Sequence, residues 1–438
     1  MSAFGGEGSF IDLDDGAVAP IAMPDVGRFS VRLTGDPAVS ADGSWLVVPA
    51  LYVDNFTEER VDSLGTSLYY ANPGKWNPVI VSFTLGGGGR PSDDALVSYV
   101  TAQGEGGAIG SYAGAVVLDP SLPMAWVTLE GADAVVASNY VGESQFGGRD
   151  GIRRTSVVVR ASGAGPKGLV LQGDRAIVHT ALDHAVQPID ARQARMDLAD
   201  RISGADANWA DPFEPLAPGL QIAAPTLDPL VEAGRLAFYS ATDPAIVLPG
   251  SGVSCATCHF EGRNDGLTWP LAPGLRQTPS LAGKVSDTAP VTWTEGVLSV
   301  GHEVELTSSN RMGGDGQGLN LDAVAAYVDF TRHADLPLHG AADPAVARGK
   351  AVFEREDTAC ASCHSGPAFT DGQNHRVFGI AAIDTPTLRG IAVTAPYLHD
   401  GRFETLGALL DGLDGQMGDT SQLTAGERAD LETYLRSL

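Results

Sequence analysis

Lysine is scarce in this chain: Lys75, Lys167, Lys284 and Lys350 are the only four in 438 residues. Asp and Glu outnumber Lys and Arg by 54 to 28, for a net charge of −26. A surface of that sign repels nucleic acid and anionic lipid, and it draws basic proteins toward it. No run of about 18 apolar residues occurs, so no membrane-spanning helix is expected. The first stretch, Met1 to Ala22, lacks both the basic segment and the apolar core of an export signal. What remains is the composition of a globular protein, 43% hydrophobic and 19% charged, long enough for two or three domains.

Cysteine is also rare, and its placement carries the chemistry. All four cysteines fall in two Cys-x-x-Cys pairs, each followed at once by histidine: Cys255-Ala-Thr-Cys258-His259 and Cys360-Ala-Ser-Cys363-His364. This pentapeptide is the attachment signature of a c-type haem. Two thiols form thioethers to the haem vinyl groups, and the adjacent imidazole is brought under the iron. Two covalently bound haems are therefore expected, with His259 and His364 as iron ligands. A Cys₄ zinc site fits less well, because 102 positions separate Cys258 from Cys360 and zinc leaves both histidines unexplained. Such haems are attached outside the cytoplasmic membrane. A periplasmic or cell-surface location is expected, with the export signal removed or lying in a longer precursor.

The fold class expected is multidomain: an N-terminal all-β region, then two all-α cytochrome c domains. Residues 1–225 show short apolar runs broken by Asp-Gly or Pro turns, as in 37–48, 115–127 and 168–178. That rhythm is β-propeller-like. Three or four blades do not close a typical ring, so earlier blades are expected to be missing. Residues 192–225, with several prolines, are expected to form a linker.

Residues 226–438 contain an internal duplication, which divides them into haem domains at 226–340 and 341–438. Gly234-Arg-Leu-Ala-Phe238 precedes the first motif as Gly349-Lys-Ala-Val-Phe353 precedes the second. Thr278-Pro-Ser-Leu-Ala-Gly283 repeats as Thr385-Pro-Thr-Leu-Arg-Gly390, and the helical run 321–328 repeats as 429–435. Met312 follows His259 by 53 positions and Met417 follows His364 by the same 53. Thioether sulfur commonly completes haem iron opposite histidine, so both methionines are candidate iron ligands. Each also suits a core-filling role in a repeated loop.

Taken with the two haem motifs, Phe369-Thr-Asp371 and the run from Thr385 to Gly401 give the second half a clear resemblance to the bacterial di-haem cytochrome c peroxidase family. That family includes the di-haem enzymes that oxidise tryptophans of methylamine dehydrogenase. The resemblance implies a first haem that reacts with hydrogen peroxide and a second that passes in electrons. It implies that Trp293 relays electrons between them. It also implies calcium bound by the carbonyls of Thr394 and Pro396, with Gln277 standing where the family has asparagine. Arg311 stands where the family has a glutamate; it could stabilise the departing oxygen but not act as a base. His302, Glu303 and Glu305 lie nearby in sequence to move the proton.

Two functions follow. One is an enzyme that reduces hydrogen peroxide or another small oxidant with electrons from a small, basic redox protein, Trp293, His302, Glu303 and Arg311 forming its catalytic set. The other is an electron-transfer protein with both haems ligated by His and Met and no peroxidase activity.

Overall fold

The computed structural model describes residues 7–11, 16–24, 27, 29–100, 102–104, 107–109, 111–141, 156–160, 163–202, 217–272, 274–294, 296–332, 343–413 and 415–438. The chain forms two compact units. One comprises Met1–Asp228, Arg235–Thr257 and Ser308–Leu319; the other comprises Pro229–Gly234, Cys258–Thr307 and Asn320–Leu438.

Three antiparallel sheets dominate the first unit. One orders Ser30–Leu33, Trp45–Val53, Trp76–Leu85 and Pro91–Tyr99, with Ala38–Val39 added beside the second strand. The next runs Ala113–Leu118, Met124–Leu129, Ala134–Asn139, Ser156–Arg160, and the last Pro166–Gln172, Arg175–Thr180, Ala185–Asp190, Leu220–Gln221. Their strands explain the apolar rhythm of the sequence. Met124–Leu129 is buried at every position, as expected of a strand covered on both faces. Asp119 lies beneath, accepting from Trp126 Nε1 at 3.3 Å and from Arg195 Nε at 2.7 Å.

Part of the expected linker is ordered. Ala191–Ile202 is a helix, because this stretch is rich in helix formers and holds no proline. Asp190 accepts from the Arg192 amide at 2.9 Å, satisfying one open donor at its start. Pro212 and Pro215 lie outside the described residues.

In the second unit the duplication is visible as repeated geometry. Gly349, on the helix Pro344–Phe353, lies so close to the terminal helix Ala425–Arg436 that a Cβ there would stand 1.9 Å from the Asp430 carbonyl oxygen and 2.7 Å from Tyr434 Cβ. At Gly234 an added Cβ would stand 1.9 Å from the Ala323 carbonyl and 2.9 Å from Tyr327 Cβ. The repeat reaches the backbone contacts of both helix pairs. Each copy also carries a two-stranded hairpin, Thr268–Leu271 with Gly274–Gln277 and Asn374–Val377 with Ile380–Asp384. The all-α expectation needs that addition: each haem motif is separated from its Thr-Pro pair by a short hairpin as well as by turns. Among the described residues, no helix is long and apolar enough to cross a membrane.

Gly349→Ala should destabilise the chain by about 1–3 kcal/mol, the usual cost of forcing atoms into a filled contact. Gly426→Ala, on the terminal helix where an added Cβ meets nothing within 4 Å, should be neutral or gain up to about 1 kcal/mol. Thermal unfolding of the two variants measures the contrast.

Candidate haem sites

The second motif hangs from the end of the helix Pro344–Phe353. Thr358 Oγ1 donates to the Val352 carbonyl at 2.7 Å and turns the chain, and Ala359 takes a left-handed conformation with φ of 56°. Cys360–Ser362 then makes a single helical turn, and the His364 amide donates to the Cys360 carbonyl at 3.1 Å. Here the cysteines and the histidine face a cavity of about 350 Å³, with Met417, Tyr397 and Leu410 also in its wall. The packing around Met417 is tight, since a Cβ on neighbouring Gly418 would stand 2.5 Å from the Thr358 carbonyl and 3.3 Å from Cys360 Sγ.

His364 is prepared as a ligand. Its Nδ1 lies 3.2 Å from the Phe369 carbonyl, a contact that fixes the N–H on Nδ1 and leaves Nε2 for a metal. Burial holds its pKa below the ordinary imidazole value, which keeps the ring neutral as ligation requires. The chain therefore fits a haem at this cavity: Cys360 and Cys363 would form the thioethers and His364 would hold the iron, with Met417 also in the wall.

The first motif has the same local form. Cys255–Cys258 is again one helical turn, and the Ser254 amide donates to Thr257 Oγ1 at 2.9 Å. The Gly262 amide donates to the His259 carbonyl at 2.9 Å. Burial pushes the Cys255 thiol up to about 11, and Cys360 is raised for the same reason. The four cysteines form no disulfide. Cys363, Asp371 and His375 do bring their ligating atoms within 4.8 Å of one another. A thioether-linked Cys363 has no charge to offer an ion there, and His375 Nε2 is already 2.8 Å from Asp371.

The other candidates separate. Trp293 lines the second cavity; its Nε1 donates to the Gln277 carbonyl at 2.9 Å, and its own carbonyl accepts from the Asp384 amide at 2.9 Å. Gln277 and Asp384 are equivalent positions of the duplication, each directly before a Thr-Pro pair. Trp293 is thus held between matching ends of the two hairpins, by its indole on the Gln277 side and by its backbone on the Asp384 side, with the His399 ring against the indole at a centroid distance of 6.5 Å.

His302 has a 56% exposed side chain, 3.5 Å from the equally exposed Glu305, on the helix Val300–Leu306. Glu303 accepts from Thr307 Oγ1 at 2.8 Å. Arg311 lies in the π-helical stretch Thr307–Met312, where its Nε donates to Glu59 at 3.0 Å. Glu59, only 2% exposed, also accepts from Ser67 Oγ at 2.7 Å. The carbonyls of Asn310 and Arg311 accept amides of Ser67, Leu68, Tyr70 and Ala71. Met312 is buried, its carbonyl accepting from the Leu248 amide at 2.8 Å.

At the implied calcium position the Thr394 carbonyl accepts from Gln277 Nε2 at 3.3 Å and from Asn264 Nδ2 at 3.2 Å. Asn264 Nδ2 also donates to the Ala395 carbonyl at 3.0 Å. In this arrangement two side-chain amides clamp the carbonyls of Thr394 and Ala395. Thr394, Pro396 and Gln277 all line the cavity of the second motif. Asn264 was missed in the sequence because it lies in an ordinary turn-like Asn-Asp-Gly run.

A Cys-x-x-Cys-His turn, a half-buried histidine with a lowered pKa and a largely apolar cavity fit a c-type haem, and residues 346–438 match the Cytochrome c family. Among known proteins, the chain is 28% identical over 290 residues to hydrazine synthase subunit gamma of Kuenenia stuttgartiensis, covering 49% of this chain and 79% of that one. It is 27% identical over 285 residues to methylamine utilization protein MauG of Methylorubrum extorquens, covering 48% and 77%. The solved structure of a MauG-like protein associated with microbial copper homeostasis shares 21% identity, covers 50% of this chain and 91% of its own, and gives a TM-score of 0.39. The family match and the two sequence relatives support a c-type redox protein related to the di-haem cytochromes c, with covalently bound haem c.

Cys363→Ala should sharply reduce covalent haem at the second motif and leave the first loaded. Haem-stained gels and pyridine haemochrome counts after acid-acetone extraction should fall from two haems per chain to about one. A metal assay showing zinc and no haem in the parent would reject the assignment.

Proposed function

We propose that the chain is an exported di-haem c-type oxidoreductase that reduces hydrogen peroxide to water, taking two electrons from a small basic redox protein and two protons from solvent. When bound, each haem supplies a one-electron couple. Cys255, Cys258 and His259 would hold the first, with Met312 as a further candidate ligand; Cys360, Cys363, His364 and Met417 would hold the second. The observation that carries the reading is Trp293, anchored between Gln277 and Asp384 and lining the second cavity. A tryptophan held between the matching ends of two haem-domain hairpins suits a relay. His302 and Glu303 are the groups proposed to move the proton, and Arg311 to stabilise the leaving oxygen. The acidic surface suits a basic electron donor, and the three N-terminal sheets, read as propeller blades, are proposed to serve docking.

One observation favours the second reading, an electron-transfer protein with no open iron. Glu59 already neutralises Arg311, so less of its charge is left for a reacting oxygen.

Rapid mixing of the half-reduced protein with hydrogen peroxide separates the two. The enzyme reading expects a five-coordinate first haem, prompt oxidation of both haems, and a slowing of roughly 10²-fold or more in Arg311→Ala. Trp293→Phe should leave peroxide binding intact and slow electron flow between the haems. A half-reduced parent that stays low-spin and ignores peroxide makes the chain an electron carrier.

A further inference from the structure

One acidic side chain in the wall of the second cavity has no part in attachment, ligation or relay. Asp384 closes the hairpin strand Ile380–Asp384, is 8% exposed, and lines the cavity. Its Oδ1 is buried without a hydrogen-bond partner. The backbone around it is fixed, with the Asp384 amide on the Trp293 carbonyl and the Thr385 amide on the Gln373 carbonyl. In the first copy the equivalent residue is Gln277, a neutral amide whose Nε2 has the Thr394 carbonyl.

A buried carboxylate with a bare oxygen is unfavourable unless it meets a cation or takes a proton. The basic groups around it are bound elsewhere or, at Arg376, exposed. Asp371, from the loop before the hairpin, repels a second negative charge, and His375 on the paired strand is bound to Asp371. Arg389 also lines the cavity, but its guanidinium donates to the carbonyls of Pro367 and Gly283. Arg276, from the first copy's hairpin, donates to Thr294. Arg376 is in the cavity wall on the strand facing Asp384. Burial, with the Asp371 charge adding to it, raises the Asp384 carboxyl to about 7, so its protonation changes within the physiological range.

We propose that Asp384 binds a proton when the haem of this cavity is reduced, and so makes that haem's potential depend on pH. The inference rests on the reading that the second motif carries a haem. The step balances: one electron arrives from the external donor, one proton passes from solvent to the Asp384 carboxylate, and the only bond formed is O–H. Its sign follows from charge. Reduction removes one positive charge from the cavity, which disfavours the carboxylate, so the Asp384 pKa is higher in the reduced protein than in the oxidised one. Between those two values the potential falls as pH rises, by up to about 59 mV per tenfold change in proton concentration. Below the lower value and above the higher one it is flat. Asp384 is thus a positioning residue for charge, separate from the groups that hold the iron.

The test is spectroelectrochemical titration of the matured two-haem protein from about pH 5 to pH 9. The parent should show a falling second-haem potential across neutrality, and Asp384→Asn, equal in size and always neutral, should flatten it. A slope that persists unchanged in Asp384→Asn overturns the proposal and assigns the proton elsewhere, to a haem propionate or His375. Should that variant mature without its second haem, the unmodified protein still decides. Redox-difference infrared spectra should show a protonated carboxyl C=O band on reduction that shifts with ¹³C-aspartate, and absence of such a band overturns the proposal. A parent lacking the second haem in the pyridine haemochrome count overturns the underlying assignment as well, and is seen before any potential is measured.

Discussion

The haem domain at the end of the chain depends on one close approach of backbone to backbone, Gly349 against the Asp430 carbonyl. Only a residue without a side chain permits the two helices to cross at that distance. Their crossing buries Val352, Phe353, Leu431, Tyr434 and Leu435 in a single core. The end of the first helix then becomes a fixed point. From it Thr358 reaches back to Val352, the Cys360 turn follows, and His364 is set above the Phe369 carbonyl. Gly418 packs onto the same Thr358 carbonyl from the other side and brings Met417 to the cavity wall. Attachment, ligation and cavity shape all trace back to that crossing.

Much of this was legible before any coordinate. A pentapeptide with two thiols and an imidazole at fixed spacing is local chemistry, and it needs no fold to be read. The duplication was legible because the same backbone constraint, a glycine facing a helix, recurs with the same neighbours. Short apolar runs between turn residues marked strands in each of the three N-terminal sheets, since a strand covered on both faces has few ways to be polar.

Other features were hidden by distance along the chain. Arg311 and Glu59 are 252 positions apart, and nothing near either residue signals the ion pair. The stretch Ser308–Leu319 belongs with the first compact unit although it lies between helices of the second, because its carbonyls are held by amides of residues 67–71. The hairpins were hidden for another reason. Their strands are only four or five residues long, too short for alternation to stand out from loop sequence. The clamp on Thr394 likewise needs Asn264, which no pattern distinguishes from an ordinary turn residue.

The two copies share a backbone plan, so differences between them must come from side chains at matching positions. Before the Thr-Pro pair, Gln277 is a neutral amide with a carbonyl partner, whereas Asp384 is an acid with an unmatched oxygen. Before the methionine, Arg311 is tied to Glu59, whereas Gln416 accepts the Phe378 amide at 3.2 Å. Both exchanges alter charge while leaving the helix crossings alone. A change of one charge in a low-dielectric cavity acts strongly on a nearby redox group, and it costs the fold little when the backbone does not move. If both motifs carry haem, a few such exchanges would give two similar sites different electrochemistry. Trp293 is held by the backbone at both of the diverged hairpin ends, by the Gln277 carbonyl and the Asp384 amide. Backbone contacts of that kind are indifferent to the side chains beside them, so the indole keeps its place while the charges around it diverge.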